Sequence, residues 1–162
     1  MSATITPLPT VAGLPSMNTS GAFRSAGVTI GTIDNLGSDD DADAVAAALR
    51  EAEEEVGLAP ELVEVLGLLP DYLTGSAFRI TPVVALVRPD YEPRPNPHEV
   101  ADLFEVPLAF LMDPAHHRRQ ALDWEGRRHE WFAMPYLQDG AERYIWGATA
   151  GMLRNLYHFL AA

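Results

Sequence analysis

One stretch, residues 43–58 with the sequence DAVAAALREAEEEVGL, constrains the fold of this chain more than any other. Its composition and spacing predict a single helix, with Asp43 suited to the N-cap and Gly57 to the C-terminal stop. Apolar side chains recur at helical spacing and predict a narrow stripe, which comprises Val45, Leu49, Ala52 and Val56. We therefore expect the rest of the chain to be organised around this helix.

A second face of the same helix carries three glutamates related by spacings of three and four residues, Glu51, Glu54 and Glu55. They lie in the last turns, where the helix dipole disfavours negative charge. At an effective dielectric constant of about 20, two unit charges about 6 Å apart repel each other by roughly 3 kcal/mol. A bound cation relieves this repulsion, and carboxylate oxygens suit Mg²⁺ or Mn²⁺. A solvated acidic face is the alternative that the pattern leaves open.

The order of residues in this helix resembles the core of the Nudix box, which runs Arg-Glu-aliphatic-any-Glu-Glu-any-Gly-aliphatic. The matching residues are Arg50, Glu51, Ala52, Glu54, Glu55, Gly57 and Leu58. Further stretches extend the similarity, namely FRITPVVALV, HEVADLFEVPLAFLMDP and IWGATAGMLRNL. Together they look like the coenzyme A pyrophosphatase branch of the Nudix hydrolases, over roughly residues 37–160.

This resemblance implies a fold, a reaction and a set of site residues. The fold is α+β, a Nudix-type α/β/α sandwich with a mixed β-sheet, in one domain over residues 1–162. The reaction is hydrolysis of the pyrophosphate bond of coenzyme A or a related compound, which gives 3′,5′-ADP and a phosphopantetheine. The metal ligands are Glu51, Glu54 and Glu55. Arg50 orients one of these carboxylates through a charge-assisted hydrogen bond, and Asp41 matches an acidic residue that this branch often carries before the helix.

The chain departs from the family pattern ahead of the helix. The branch carries Phe-Pro-Gly-Gly there, whereas this sequence reads AGVTIGTIDNLGSDDDAD, with no Phe-Pro. The upstream Arg- and Gly-containing signature that is associated with coenzyme A recognition is also missing, so the N-terminal portion is divergent or truncated relative to that branch. Two alternatives follow: a Nudix-fold binding module with impaired or lost catalysis, and a Nudix enzyme for another nucleoside diphosphate substrate.

The remaining elements follow from alternation, turn residues and helical periodicity. Residues 1–26 have weak periodicity and are expected to be irregular or loosely attached. Strands are predicted at residues 27–34, 62–69 and 77–88, a turn at 71–76, a strand with a short helix at 100–113, and a hairpin around EGRR at 116–138. Pro82, within the third strand, indicates an edge, a bulge or a break. This order of elements is typical of an α+β fold.

The last predicted element is an amphipathic helix at residues 145–160. Its apolar stripe comprises Ile145, Ala148, Met152, Leu156 and Phe159. The predicted hairpin and this helix together hold Trp124, Trp131 and Trp146, which are expected to form core or subunit contacts, although one of them could stack on an adenine.

The catalytic candidates are Glu54, Arg50 and Glu99. Glu54 or Glu55 could bind an ion directly while a further carboxylate takes the proton from water. Glu99 is the candidate for this accessory acid because it follows a Pro-rich connector of the kind that often borders a site. A surface acid in a loop is the alternative reading.

Other polar side chains give weaker signals. The adjacent pair His116 and His117 has no partner at metal-ligand spacing, so these residues, with His98 and His129, are expected to be exposed at helix ends or in loops. Arg127 and Arg128, at the tip of the predicted hairpin, could reach a 3′-phosphate or could simply form a charged turn.

The composition excludes several other functions. A net charge of −12 and a pI near 4.6 argue against binding to nucleic acid or to anionic membranes. The chain contains no Cys, which rules out disulfides and thiolate metal sites. It has neither a membrane-spanning apolar run nor a recognisable signal peptide. We expect a cytoplasmic enzyme with a small-molecule substrate, and its aromatic C-terminal half is compatible with a homodimer.

Overall fold

The computed structural model describes residues 44–75, 79–100, 103–124 and 126–162, together with the backbone of three short strands at 2–5, 23–25 and 28–31. The chain divides into two compact units, Met1–Leu108 and Ala109–Ala162. Among the helices in these described ranges, none is both long enough and apolar enough to cross a membrane.

The first unit contains a six-stranded sheet and one long helix, α1 (Ala44–Val56). The strands are β1 (Ser2–Ile5), β2 (Phe23–Ser25), β3 (Val28–Gly31), β4 (Val63–Leu68), β5 (Tyr72–Leu73), β6 (Arg79–Ile80), β7 (Val83–Val87) and β8 (Phe104–Pro107). The sheet has the order β4-β7-β3-β2-β1-β8, and β5 pairs with β6 as a separate ribbon. A short helix, α2 (Leu108–Leu111), follows β8.

The predicted α+β class is confirmed, with three differences in detail. Every pairing between the described strands is antiparallel, whereas a mixed sheet was expected. Strands β1 and β2 lie within the segment 1–26, which was expected to be irregular, because pairing with β8 and β3 compensates for weak local periodicity. The predicted turn at 71–76 contains β5, which is paired with β6.

Helix α1 packs on the sheet through small side chains. Ala47 and Ala48 are buried against Val83 of β7, and Ala52 and Val56 join a cluster that includes Val87. The predicted stripe is therefore correct at its C-terminal half, while Val45 and Leu49 are only half-buried. Relative to the predicted stripe, the buried face is rotated toward Ala47 and Ala48, because their small side chains allow the helix to approach the sheet closely.

Pro82 separates β6 from β7, so the predicted strand at 77–88 is interrupted at this residue. The Pro82 carbonyl accepts a hydrogen bond from the Leu69 amide at 2.9 Å, which ties the break to the end of β4. Strand β7 then lies between β4 and β3, and its residues are buried except for Leu86. Pro82 thus lies immediately before β7, where its missing amide does not interrupt the hydrogen bonds of that strand.

The second unit contains a three-stranded antiparallel sheet of order β11-β10-β9 and a helix. Its elements are β9 (Arg118–Trp124), β10 (Arg127–Gln138), β11 (Ala141–Trp146) and α3 (Gly147–Leu160). The predicted hairpin is confirmed. The helix begins two residues later than predicted, since Trp146 completes β11 and Gly147, at φ +64, makes the bend.

The predicted stripe of α3 holds for Met152 and Leu156, which are buried, and is wrong for Phe159, which is 68% exposed. Leu160 is also exposed. Helical periodicity identifies a face, but it does not reveal how far along the helix the packing partner extends.

Candidate functional site

The last turns of α1 hold Arg50 between two of the predicted glutamates. The Arg50 Nη1 donates to Glu54 Oε2 at 2.8 Å, and its Nη2 lies 3.8 Å from Glu51 Oε1. The Glu54 side chain is 58% exposed and that of Glu51 is 32% exposed. The guanidinium therefore offsets repulsion between the two carboxylates. The contact expected of Arg50 is present, and its role in orienting a carboxylate stays a prediction because an exposed i, i+4 pair is also an ordinary helix stabiliser.

The chemistry of the donor set fits a hard divalent cation. Glu51, Glu54 and Glu55 offer carboxylate oxygens, which Mg²⁺ and Mn²⁺ prefer. Within the described ranges, however, no group of three or more His, Cys, Asp or Glu side chains is arranged to hold a metal ion. Convergence of the three carboxylates would need rotation of their side chains, of which only that of Glu54 is exposed while those of Glu51 and Glu55 are half-buried. The ligand set therefore stays a prediction, and Asp41 and Asp43 lie outside the described residues.

Gly57 ends the helix as predicted. It adopts φ +68, and its amide donates to the Glu53 carbonyl at 2.9 Å, which is the left-handed cap typical of glycine. A Cβ added at Gly57 would lie 3.1 Å from the Cβ of Arg94. Glycine is thus required both for the backbone conformation and for the close approach of the loop that carries Arg94.

That loop is the Pro-rich connector, residues 89–100, and it covers the C-terminal end of α1. The Val56 carbonyl accepts from the Tyr91 hydroxyl at 2.6 Å and from the Arg94 amide at 2.9 Å, and the Glu55 carbonyl accepts from the Asn96 amide at 2.7 Å. These bonds satisfy carbonyls that a helix end leaves without partners. The connector is therefore held against the turn that bears the glutamates.

Asn96 also positions Glu99 within the connector. Its Nδ2 donates to Glu99 Oε2 at 3.0 Å, and its Oδ1 accepts from the His98 amide at 3.2 Å. Because the Asn96 backbone is bonded to Glu55, one residue links the Glu99 carboxylate to the end of α1. Sequence reasoning singled out Glu99 and missed Asn96 and Tyr91, since no periodicity marks a residue that bonds to a distant helix end.

Two histidines of the second unit, His116 and His117, are packed against aromatic side chains, which corrects the expectation that these two are exposed. His117 Nε2 lies 2.8 Å from the Leu111 carbonyl oxygen, and its ring meets Tyr157 edge-on. His116 stacks on Phe110 with ring centroids 3.9 Å apart. Both are half-buried at the end of a short 3₁₀ turn, whereas His98 and His129 are exposed as predicted.

The hairpin arginines are exposed on β9 and β10. Arg128 Nε donates to Glu130 Oε1 at 3.1 Å, and Arg119 bonds the other oxygen of the same carboxylate. Hydrogen bonds from Arg128 and then Arg119 hold the pKa of Glu130 below its ordinary value. A role for Arg127 and Arg128 at a 3′-phosphate stays a prediction.

The described tryptophan side chains pack on each other. Trp131 and Trp146 are half-buried and meet edge-to-face with centroids 6.5 Å apart. This matches the expectation of core contacts for these two residues, while the side chain of Trp124 lies outside the description.

Comparison with known proteins identifies a family match and close relatives. The NUDIX domain model matches residues 36–132. The chain is 40% identical over 118 residues to the protein named Uncharacterized Nudix hydrolase NudL of Escherichia coli (strain K12), a stretch that covers 73% of this chain and 59% of the relative. Proteins of the same name are 40% identical over 116 residues in Enterobacter sp. (strain 638), covering 72% and 58%, and 38% identical over 118 residues in Cronobacter sakazakii, covering 73% and 59%. The matched part thus spans about three-fifths of the length of these relatives.

Proposed function

This chain belongs to the Nudix family, and we propose that it is a metal-dependent hydrolase that cleaves the pyrophosphate bond of a small nucleoside diphosphate derivative. The observation that carries this proposal is the arrangement at the end of α1. Arg50 lies between Glu51 and Glu54, and the connector that bears Glu99 is hydrogen-bonded to the same helix end. The box residues and the accessory acid therefore belong to one local structure.

Each side chain has a role in the proposed reaction. Glu51, Glu54 and Glu55 would hold Mg²⁺ or Mn²⁺, which when bound neutralises phosphate charge and lowers the pKa of water. Arg50 holds the Glu54 carboxylate through its 2.8 Å hydrogen bond. Glu99 accepts the proton from the attacking water, and the Asn96 amide orients that carboxylate.

Within this class, we infer that coenzyme A or a related compound is the substrate, with 3′,5′-ADP and a phosphopantetheine as products. The support is the similarity of residues 37–160 to the coenzyme A pyrophosphatase branch. A homodimer and a cytoplasmic location are further expectations, to be checked by light scattering and by cell fractionation.

A second candidate is a Nudix-fold binding module with little or no turnover. It is favoured by the lack of a preformed group of three metal-binding side chains in the described ranges. The altered sequence ahead of α1 supports it too, since the segment before a helix N-terminus sets how that terminus meets a phosphate.

The test is a hydrolysis assay on coenzyme A with and without Mn²⁺, in which 3′,5′-ADP is quantified by chromatography. Metal-dependent release supports the proposal, and a panel containing ADP-ribose and dinucleotides identifies the preferred substrate class. Turnover on the panel but not on coenzyme A would exclude coenzyme A while keeping the pyrophosphatase. Absence of turnover on every compound would favour the binding module.

Substitution of the box glutamates assigns the activity to this site. We expect Glu51→Gln and Glu54→Gln to lower kcat by about a hundredfold or more, as for the loss of a group that activates water. Glu53→Gln is the matched control, because Glu53 is exposed on the same helix and lies outside the matching positions of the box. Equal activity of all three variants and the parent would contradict the proposed site.

A further inference from the structure

Arg94 differs from the other arginine side chains described in the first unit. Arg50 pairs with Glu54, Arg79 with Asp71 and Arg88 with Asp90. Arg94 is exposed, and its guanidinium has neither an ion pair nor a hydrogen bond with any other described residue. An arginine that has no partner among the described residues of this acidic region is available for a ligand.

Arg94 lies at the C-terminal end of α1, close to the proposed site. Arg50 and Glu54 lie along one face of the helix at the spacing i, i+4, and Gly57 follows directly after the helix. Gly57 has no side chain, and the Cβ of Arg94 lies 3.1 Å from the point where a Cβ of Gly57 would be. The Arg94 side chain thus begins beside Gly57, at the end of the helix that carries the glutamates. Glu54 lies three residues earlier, about 4.5 Å along the helix axis, which is within reach of an extended arginine.

The backbone of Arg94, not its side chain, holds the connector in place. Its amide donates to the Val56 carbonyl at 2.9 Å, and the Tyr91 hydroxyl donates to the same oxygen at 2.6 Å. The guanidinium is consequently attached to a fixed backbone, while no described residue occupies its hydrogen-bond donors. Because its main contacts with α1 involve its backbone and Cβ, truncation to alanine keeps them.

The charge distribution of the chain explains how a positively charged side chain at position 94 would favour the binding of an anion. Residues 1–108 contain 17 acidic residues and 5 arginines, and residues 109–162 contain 6 of each. The whole net charge of −12 therefore belongs to the part of the chain that carries the proposed site. A diphosphate anion is repelled by this field, and a guanidinium, which can bond two phosphate oxygens at once, counters the repulsion locally.

We propose that Arg94 binds the diphosphate of the substrate at the C-terminal end of α1. This inference rests on the proposed function for the site and adds a substrate-binding residue on the connector. Two arginines near the C-terminal end of α1 then have different tasks: Arg50 holds the Glu54 carboxylate, and Arg94 holds the anion.

Steady-state kinetics test the proposal. We expect Arg94→Ala to raise KM about tenfold, the effect of losing one charge-assisted hydrogen bond, with kcat within about twofold of the parent. Arg94→Lys restores KM only in part because an ammonium lacks the fork of a guanidinium. Arg88→Ala is the matched control, since Arg88 is exposed and already paired with Asp90. An Arg94→Ala enzyme with the KM of the parent would overturn the assignment.

A binding measurement separates this inference from the proposed function. Methylenediphosphonate, a diphosphate that cannot be hydrolysed, is titrated calorimetrically into each protein in the presence of Mg²⁺. Binding by the parent that is about tenfold weaker in Arg94→Ala and unchanged in Arg88→Ala supports the assignment even if no compound is hydrolysed. Equal affinity of the parent and Arg94→Ala, or no binding by the parent, rejects it.

Discussion

At the scale of single residues, Gly57 carries the strongest constraint in the site. Its backbone has φ +68, where an L side chain is strained, and the Cβ of Arg94 lies only 3.1 Å from the position that its own Cβ would take. The sequence predicted the first requirement from the position of Gly57 at the end of a helical pattern. It did not predict the second, because Arg94 approaches from a separate loop.

We predict that Gly57→Ala lowers the free energy of unfolding by more than the roughly 1–2 kcal/mol expected for a left-handed alanine. Gly126→Ala is the control, since Gly126 has φ +74 with no atom within 4 Å of an added Cβ. Urea unfolding measures the free energy of unfolding of both variants, and the difference between their losses of stability gives the contribution of the contact with Arg94. An equal decrease in the free energy of unfolding of the two variants would show that Arg94 can move away from the added Cβ without loss of stability.

At the scale of elements, the connector of residues 89–100 is hydrogen-bonded to carbonyl groups at the end of α1. The bond from the Tyr91 hydroxyl to the Val56 carbonyl is buried and joins residues 35 positions apart. We predict that Tyr91→Phe lowers the free energy of unfolding by about 0.5–1.5 kcal/mol, because one buried hydrogen bond is lost. Denaturant unfolding measures this, with Tyr144→Phe as an exposed control. Identical values for the two variants would argue against a stabilising bond.

The hairpin of β9 and β10 is expected to be sensitive to acid. The pKa of Glu130 is lowered by its hydrogen bonds to Arg128 and Arg119 in the folded state. Its contribution to stability is therefore present above the unfolded pKa of about 4.3 and is lost as pH falls through the lower folded pKa. We predict that Glu130→Gln makes stability less dependent on pH in this acidic window. Thermal unfolding from neutral pH downward measures the slope, and parallel curves for variant and parent would contradict the prediction.

At the scale of the whole molecule, metal binding is expected to be coupled to stability. A ligand that binds only the folded state stabilises it by about 2.7 kcal/mol at a concentration 100 times its Kd. We predict that Mn²⁺ raises the Tm of the parent and of Glu53→Gln, and that Glu54→Gln abolishes most of the increase. Scanning calorimetry with Mn²⁺ and then with excess EDTA measures the effect. An equal increase in Glu54→Gln would place the ion elsewhere.

The sequence by itself determined the features that depend on near neighbours. The order from Arg50 to Gly57, the stop at Gly57 and the hairpin around Gly126 follow from helical spacing and turn preferences, which act over a few residues. The α+β class could be predicted for the same reason, since each element has its own local signature.

Only the tertiary structure decided which distant residues meet at the site. The bonds from Tyr91, Arg94 and Asn96 to the end of α1, the antiparallel order of the strands and the exposure of Phe159 all depend on packing between separate elements. Periodicity indicates which face of an element is apolar. The way in which the elements pack together determines what covers that face and which backbone carbonyls a loop can reach.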